Sequence, residues 1–273
     1  MNFPFLGWMM GLAFGTLSLC QAATQQDTAL NHLLQQSGLT GCLVLQEVNG
    51  DTVRVSDPQL CQQRHLPAST FKVVNALFAL EAGVVRKDES FPWDGKNYPF
   101  KTWEKELTLK EAMAVSAVPV FQQIARRLGP ARMADGLTKI SYGNGAMGTV
   151  VDRFWLDGPV AISPLEQAHL MAQLASKQLP FTPTTLEQVH RLMPQEEIKN
   201  GVIFAKTGWA MDAKPMVGWY VGWAERAGKQ VAFAVQLLMR QAEDAPLRKS
   251  LAKDALALWP WPDEEKAHAA PLQ

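Results

Sequence analysis

The serine and the lysine of the segment 69–72 have the residue types and the spacing of a nucleophile and its base. Ser69 and Lys72 begin an apolar stretch that has the pattern of a helix as far as about Ala82, and positions i and i+3 lie on one face of a helix. A serine attacks only when a neighbouring group takes its proton. A lysine can do this only if an apolar pocket keeps it neutral or if it is chemically altered. The apolar neighbours of Lys72, Phe71 among them, would provide such a pocket.

A serine followed three residues later by a lysine also describes an ordinary N-cap serine with a surface lysine, so the pattern needs support. Two further motifs provide it. Ser116-Ala117-Val118 lies where one predicted helix ends and Pro119 begins another, a junction that can present a hydroxyl group to a cleft. Lys206-Thr207-Gly208 ends a predicted strand, and the glycine allows a ligand to approach the backbone closely. Each motif alone is compatible with a purely structural role, whereas their order along the chain indicates one catalytic site.

Together these motifs resemble those of the class D serine β-lactamases, the oxacillinase group. The resemblance covers about residues 40 to 258. Tyr142-Gly143-Asn144 with Ser-x-Val separates class D from class A, and Glu166, which class A would use in deacylation, is better explained here as a capping-box residue. The roles of Tyr142 and Asn144 stay open between a structural turn and direct catalysis. The matching segments stand in the family's order: 69–72, 116–118, 142–144, Phe154-Trp155-Leu156, 206–208, 218–223 and 246–248.

The resemblance implies that Lys72 is N-carboxylated by carbon dioxide. The resulting carbamate would deprotonate Ser69 for attack on the β-lactam carbonyl and would then activate the water that hydrolyses the acyl-enzyme. Trp155 matches the family's tryptophan whose indole N–H binds the carbamate, while Val118 and Phe71 would shield the carbamate from bulk water. Carbon dioxide or bicarbonate is therefore the only small molecule that we expect the enzyme to need, with no other cofactor and no metal.

The resemblance also implies roles for the residues around the reacting carbonyl. Ser116 would pass a proton to the departing lactam nitrogen, and the nearby Lys206 would maintain the electrostatic potential at that position. The backbone N–H groups of Ser69 and Trp209 would form the oxyanion hole. Three residues would bind the substrate, chiefly through its carboxylate: Thr207, Gly208 and Arg248.

The elements that must position these residues follow from periodicity and turn signals. Residues 28–36 have a helical pattern that stops at Gly38, and Asn49-Gly50 predicts a tight hairpin turn between strands at 42–48 and 52–55. A long helical section follows, with capping boxes at Thr108 and Ser163. Three strands are then predicted at 202–207, 217–225 and 230–238, and a final helix at about 245–258. This order predicts an α+β fold, in which helices flank an antiparallel sheet and form a helical subdomain.

The predicted organisation is a signal peptide at residues 1–22 and a β-lactamase catalytic domain at 23–273, with a helical insertion at about 70–195. The run from Phe5 to Leu19 is apolar and too short to span a bilayer comfortably, and small residues follow it. Because no lysine or arginine precedes it, an uncleaved anchor is the alternative. We expect export to the periplasm and no membrane association after cleavage.

Two of the three cysteines, Cys42 and Cys61, remain after signal cleavage. An even pair in an exported chain indicates a disulfide, and two separately buried thiols are the alternative. Acidic and basic residues are balanced at a formal net charge of zero, which argues against nucleic acid or an anionic membrane surface as a partner. The expected partner is a small-molecule β-lactam, and the chain would be a monomer or a homodimer.

Two other readings share this fold and nucleophile. A penicillin-binding peptidase releases its acyl-enzyme slowly, and a penicillin-sensor domain binds its ligand covalently without turnover. Trp155 and the lack of a predicted anchor or second domain argue against the peptidase, and the lack of several predicted membrane helices argues against the sensor. The range of β-lactams hydrolysed depends on loops at about 96–103 and 211–216, whose shape the sequence does not define.

Overall fold

The computed structural model of the chain describes residues 24–262. The predicted signal peptide at 1–22 lies outside the described residues, as do residues 263–273 at the end of the predicted catalytic domain. Among the described helices, none is both long enough and apolar enough to cross a membrane.

The sheet has seven strands in the order β1-β3-β2-β9-β8-β7-β6. All neighbours are antiparallel except β1 and β3, which run parallel, so the predicted antiparallel sheet is mixed at one edge. A separate pair, β4 and β5, is also antiparallel. The strands are β1 (Thr24–Gln26), β2 (Thr40–Glu47), β3 (Val53–Val55), β4 (Ser90–Phe91), β5 (Leu107–Thr108), β6 (Gln195–Ile198), β7 (Gly201–Ala210), β8 (Met216–Arg226) and β9 (Lys229–Met239).

Several helix ends coincide with signals in the sequence. Asp27 caps the first helix through its side chain, Gly38 has a positive φ of 68° just beyond its end, and Thr108 and Ser163 form the predicted capping boxes. Gly129 (φ 78°) kinks the fifth helix. The helices are α1 (Thr28–Gln36), α2 (Pro58–Gln62), α3 (Phe71–Glu81), α4 (Leu109–Ala114), α5 (Val118–Lys139), α6 (Pro164–Ala175), α7 (Pro183–Leu192) and α8 (Leu247–Ala257).

Helices cover both faces of the sheet, and the strands divide their side chains between two hydrophobic clusters. Along β2, Cys42 and Val44 face the cluster that includes α3, α5 and α6, whereas Leu43 and Leu45 face the cluster that includes α1 and α8. This alternation is the two-residue period of a strand. Because both faces of the sheet are buried, the central strands are nearly continuously apolar. The mostly antiparallel sheet with helices on its faces confirms the predicted α+β fold class.

The two hairpins differ in how closely they follow the predicted turn chemistry. Between β8 and β9, Ala227 and Gly228 both have positive φ angles (48° and 72°), which suits a tight two-residue turn. Between β2 and β3 only Asn49 has a positive φ, at 60°. The predicted tight Asn49-Gly50 turn is therefore wrong in detail, and a longer loop closes on the hydrogen bond from Glu47 N–H to the Thr52 carbonyl (2.9 Å).

A disulfide joins Cys42 of β2 to Cys61 of α2, with 5.2 Å between the Cα atoms. Both cysteines are fully buried beneath the sheet face that carries α6. This geometry agrees with the predicted disulfide and disfavours the alternative of two separate thiols. The disulfide ties α2, which leads directly to the segment of Ser69, to a central part of the sheet.

Candidate active site

Ser69 lies in a 3-10 turn, Ala68–Thr70, that leads into α3. Ala68 has a positive φ of 49°, an uncommon conformation for a residue other than glycine. The Thr70 hydroxyl donates to the Pro67 carbonyl (2.8 Å), and Gln167 of α6 donates its side-chain N–H to the Thr70 oxygen (2.7 Å). The turn that carries the half-buried Ser69 is therefore held by buried hydrogen bonds on both sides.

Lys72 has no exposed surface, and its Nζ lies 2.6 Å from the Ser69 Oγ and 5.8 Å from the centre of the Phe121 ring. Burial lowers the pKa of the Lys72 ammonium well below its ordinary value, and the nearby Lys206 cation lowers it further. The neutral amine is therefore more accessible here than in an exposed lysine. A neutral amine at this distance can accept the hydroxyl proton of Ser69.

Ser116 lies at the junction of α4 and α5 in a Schellman motif. Its N–H donates to the Met113 carbonyl (3.2 Å), and the Ala117 N–H donates to the Ala112 carbonyl (2.8 Å). Ser116 has a φ of 58°, so it occupies the left-handed position that glycine usually takes in this motif. Its Oγ is 3.0 Å from the Nζ of Lys206, which comes from the strand β7.

Lys206 is the second buried lysine of the site, with 1% of its surface exposed. Burial lowers the pKa of its ammonium to about 7, with smaller contributions from the cations of Arg248 and Lys249. Its Nζ also lies 3.1 Å from the carbonyl oxygen of Thr207. A group with this pKa can exchange a proton with Ser116 near neutral pH.

Phe71, the residue before Lys72, belongs to a cluster of aromatic rings. The Phe71 ring stacks on the Trp155 ring, with 5.3 Å between centroids, and it meets Tyr142 and Phe154 edge-on. The Nε1 of Trp155 is buried and has no hydrogen-bond partner among the described residues. An unpaired buried donor is costly unless a ligand or modification satisfies it. A carboxyl group on Lys72 carries acceptor oxygens of the kind that this donor lacks, so the residues present fit the predicted carbamate.

The edge of β7 faces the Ser69 turn. A Cβ atom on Gly208 would lie 2.9 Å from the Pro67 carbonyl oxygen and 2.9 Å from the Thr70 methyl group, so only glycine permits this approach. The Ala205 N–H donates to the Pro194 carbonyl (2.9 Å) on the side of β7 away from β8. The two-residue period of an antiparallel strand directs the Trp209 N–H to that same side. The pairing of β6 with β7 ends at Phe204, so β6 does not cover this N–H group.

Arg248 at the start of α8 lies beside this edge and is 9% exposed. It donates to the Gly208 carbonyl (2.6 Å) and to the Ala245 carbonyl (2.8 Å), and its guanidinium lies 5.4 Å from the centre of the Trp209 ring. Burial lowers its pKa to about 10, which leaves it charged at neutral pH. A guanidinium has five N–H donors, so donors remain for a substrate carboxylate.

The other predicted residues have mainly structural surroundings. Val118 is the half-buried first residue of α5. Asn144 spans a turn, since it donates to the Pro159 carbonyl and accepts from the N–H groups of Ala146 and Ala161, which favours the structural interpretation. Tyr142 is buried, and burial raises the pKa of its phenol. Glu166 completes the capping box of α6, as predicted, and pairs with Arg64.

Sequence reasoning missed several residues that support the site, and two of them lie close to Lys72 and to the Ser69 turn. Asn75, one helical turn after Lys72, is fully buried and donates to the Phe121 carbonyl (3.0 Å), which joins α3 to α5 next to the lysine. The Trp219 indole donates to the Leu66 carbonyl (2.9 Å) just before the Ser69 turn. The only signal for Asn75 was a lone polar residue in an apolar run. Within residues 24–262, no group of three or more potential ligands among His, Cys, Asp and Glu is placed to hold a metal ion.

The chain matches one family model and many proteins of known name. Residues 41–257 match the penicillin binding protein transpeptidase domain. The chain is 34% identical to β-lactamase OXA-10 of Pseudomonas aeruginosa over 251 residues, which cover 90% of this chain and 94% of that protein. It is 33% identical to the regulatory protein BlaR1 of Bacillus licheniformis, with 80% of this chain aligned to 36% of that protein.

The solved structures agree with the sequence matches. The structure of FUS-1 (OXA-85), a class D β-lactamase from Fusobacterium nucleatum subsp. polymorphum, superposes with a TM-score of 0.82 at 33% sequence identity. The match covers 85% of this chain and 98% of that one. The similarity therefore extends over nearly the whole of the described fold and over all the segments that hold the site residues.

Proposed function

Because this chain belongs to the penicillin binding protein transpeptidase family and, within it, to the class D serine β-lactamases, we propose that it hydrolyses penicillin-type antibiotics through an acyl-enzyme on Ser69 and confers resistance to them. The observation that carries the proposal is the buried Lys72 amine, 2.6 Å from the Ser69 Oγ. The unpaired Nε1 of Trp155, whose ring stacks on Phe71 next to Lys72 in the chain, supports N-carboxylation of that amine as part of the mechanism.

The acylation step uses the residues around the Ser69 turn. The Ser69 Oγ loses its proton to the basic group on Lys72 and attacks the lactam carbonyl, while the backbone N–H groups of Ser69 and Trp209 bind the developing oxyanion. One such donor contributes about 3 kcal/mol to transition-state stabilisation. When the lactam C–N bond breaks, Ser116 gives its proton to the nitrogen and recovers one from Lys206, 3.0 Å away.

Formation of the carbamate on Lys72 depends on the charge states of Lys72 and Lys206. Burial and the Lys206 cation both lower the pKa of the Lys72 ammonium and so favour its neutral amine, the only form that reacts with carbon dioxide. The carbamate, when present, supplies the general base for acylation and for the attack of water on the acyl-enzyme. Trp155 would donate its indole N–H to it, and Lys206 would balance its charge. Val118 and Phe71 would exclude bulk water from this pocket.

The substrate carboxylate would bind at the edge of β7. Arg248 holds its guanidinium beside Gly208 through backbone carbonyls, so its remaining N–H donors have a fixed direction. Thr207 adds a hydroxyl group on the same strand. A carboxylate paired with a held guanidinium gives a strong and directional contact, and the free edge of β7 can pair with the amide of the acyl side chain.

The turnover experiment separates hydrolysis from covalent binding alone. We expect nitrocefin at large molar excess over the enzyme to be hydrolysed completely at a steady rate, and the Ser69→Ala variant to be inactive. A single burst equal to the enzyme concentration, with no steady phase, would indicate instead a penicillin-binding peptidase or a penicillin sensor. A kinetic panel of penicillins, oxacillin, cephalosporins and carbapenems would then define the range of substrates.

The carbamate has its own test. Protein equilibrated with ¹³C-bicarbonate should show one carbamate resonance in ¹³C NMR, absent in Lys72→Met and weaker in Trp155→Phe, because the latter loses the indole donor. Activity lost at low pH should return when bicarbonate is added, since protonation releases carbon dioxide. A fully active enzyme without that resonance, indifferent to bicarbonate after degassing, would rule out the carbamate.

We also propose export to the periplasm with removal of residues 1–22. The support is the apolar segment from Phe5 to Leu19 and the disulfide between Cys42 and Cys61, a bond favoured in oxidising compartments. Cell fractionation together with intact mass of the purified protein tests this. Activity in the periplasmic fraction and a mass that begins near residue 23 are expected, whereas a full-length mass in the membrane fraction would indicate the uncleaved anchor.

A further inference from the structure

Trp103 connects the loop before α4 to the junction that carries Ser116. Its Nε1 donates to the Val115 carbonyl oxygen at 2.9 Å. Val115 is the C-cap of α4, and the last carbonyl groups of a helix have no partner within the helix. The indole therefore satisfies a backbone group immediately before Ser116.

This carbonyl belongs to the peptide group that joins Val115 to Ser116. The orientation of that peptide plane determines where the Ser116 Cα begins and, with its φ of 58°, where its hydroxyl points. Left-handed residues other than glycine persist only when the surrounding structure holds them. The two Schellman hydrogen bonds hold the junction from the α4 side, and the Trp103 indole holds it from the opposite loop.

The indole is itself held in place. Trp103 ends a short 3-10 turn that begins at Lys101, and its ring packs against Phe100 (4.9 Å between centroids) and Tyr98 (6.1 Å). The Tyr98 N–H in turn donates to the Glu104 side chain (2.9 Å). The side chain that reaches Val115 thus comes from a loop with its own internal bonds.

We propose that Trp103 is a positioning residue that holds the Val115–Ser116 peptide group, so that the Ser116 hydroxyl stays within hydrogen-bond distance of Lys206 during acylation. This inference rests on the proposed function, because it assigns Trp103 to the proton transfer that releases the lactam nitrogen. Trp103 acts through its indole N–H, and its effect on the reaction passes through Ser116.

The test measures the rate constant of acylation with a fluorescent penicillin, followed by stopped flow. Trp103→Phe keeps an aromatic ring but removes the donor, and we expect acylation to slow by about tenfold, since a small misplacement of a reacting group has at least this effect. Deacylation and the Lys72 carbamate resonance should be unchanged. Replacing Trp103 by benzothienylalanine, which substitutes sulfur for the N–H in a ring of the same shape, should give the same loss if Trp103→Phe folds poorly.

A double-mutant cycle separates positioning from direct contact with substrate. In a Ser116→Ala background, Trp103→Phe should have no further effect on acylation, because the group through which it acts is missing. Trp93→Phe is the matched control, because the Trp93 indole donates to the Lys96 carbonyl within its own loop. This variant should be acylated at the wild-type rate. Normal acylation of Trp103→Phe, or the same fold loss in both backgrounds, would overturn the inference.

This readout is independent of turnover. A protein that acylates without hydrolysing its acyl-enzyme would contradict the proposed function, yet its acylation rates would still decide the role of Trp103. Conversely, a wild-type enzyme that turns over normally while Trp103→Phe acylates at the wild-type rate would contradict only the positioning role.

Discussion

At the scale of single residues, the site holds polar side chains in unfavourable conformations or environments, namely a positive φ angle or burial away from water. Ser116 occupies a left-handed position that suits glycine, and Lys72 and Lys206 are almost fully buried. Each arrangement lowers stability and at the same time gives the group its chemistry: a fixed hydroxyl direction for the serine and a lowered pKa for each lysine. Stability and activity are therefore expected to respond in opposite directions to substitution here.

Ser116→Gly tests this opposition. Glycine adopts a φ of 58° without the steric penalty of a side chain, so we expect Ser116→Gly to unfold with about 1 kcal/mol more free energy than Ser116→Ala. Both variants lose the hydroxyl and its contact with Lys206, so both should acylate more slowly than the wild type, at a rate that stopped flow can still measure. Urea denaturation of the two variants isolates the backbone effect. Equal stability of the two would show that the junction carries no strain.

At the scale of elements, the site depends on how closely β7 approaches the Ser69 turn. Gly208 is the contact point, since its neighbours are a backbone oxygen and a buried methyl group that have little room to move. The same strand presents Lys206 to Ser116 on one side and the Gly208 carbonyl to Arg248 on the other. A small shift of β7 would therefore disturb the oxyanion hole, the proton relay and the carboxylate site together.

Gly208→Ala is expected to reduce kcat/KM by about 100-fold, because the added Cβ must push β7 away from the Ser69 turn. The accompanying loss of stability should be about 1–3 kcal/mol, typical of overpacking. Gly83→Ala is the matched control: Gly83 has a φ of 64° in open space beyond α3, so the substitution should also cost about 1 kcal/mol of stability but leave kcat/KM unchanged. Equal activity of both variants would contradict the role of Gly208.

At the scale of the whole molecule, the buried cations link stability to pH. The pKa of Lys206 is about 7 in the folded protein and near its ordinary value of 10.5 when unfolded. Between these values the unfolded chain binds more protons, so the contribution of Lys206 to stability rises with pH from about 7 to 10.5. Below pH 7 both states are protonated, and the penalty for burying the charge is constant.

Lys206→Met should therefore be more stable than the wild type at pH 7 by a few kcal/mol, with a difference that shrinks towards pH 10, although the variant loses activity. Urea denaturation in degassed buffer measures this, because a carboxyl group on Lys72 would otherwise stabilise the Lys206 cation. Lys87→Met, at an exposed lysine, controls for the loss of a charge. A Lys206→Met variant less stable than the wild type at pH 7 would contradict the assignment.

The sequence alone determined the features that depend on neighbours along the chain. The limits of α1, the capping boxes of α4 and α6, the glycine that ends α1 and the reach of Lys72 to Ser69 all involve residues within about one helical turn. Such features follow from local hydrogen bonding and helix periodicity. The turn at Asn49 was predicted less well, since its closure depends on the register of β2 with β3.

Only the tertiary structure decided which distant segments meet. The short edge strands β1 and β6 and the parallel pairing of β1 with β3 left no clear local signal. Packing brings Lys206 to Ser116, 90 positions away in the chain, and buries both Lys72 and Lys206. It also brings the Trp103 indole N–H to the Val115 carbonyl. The lowered pKa values arise from that burial, which is a property of the assembled core and of no single segment. The residue types of the site could thus be read from the sequence, while their charge states depend on the folded chain around them.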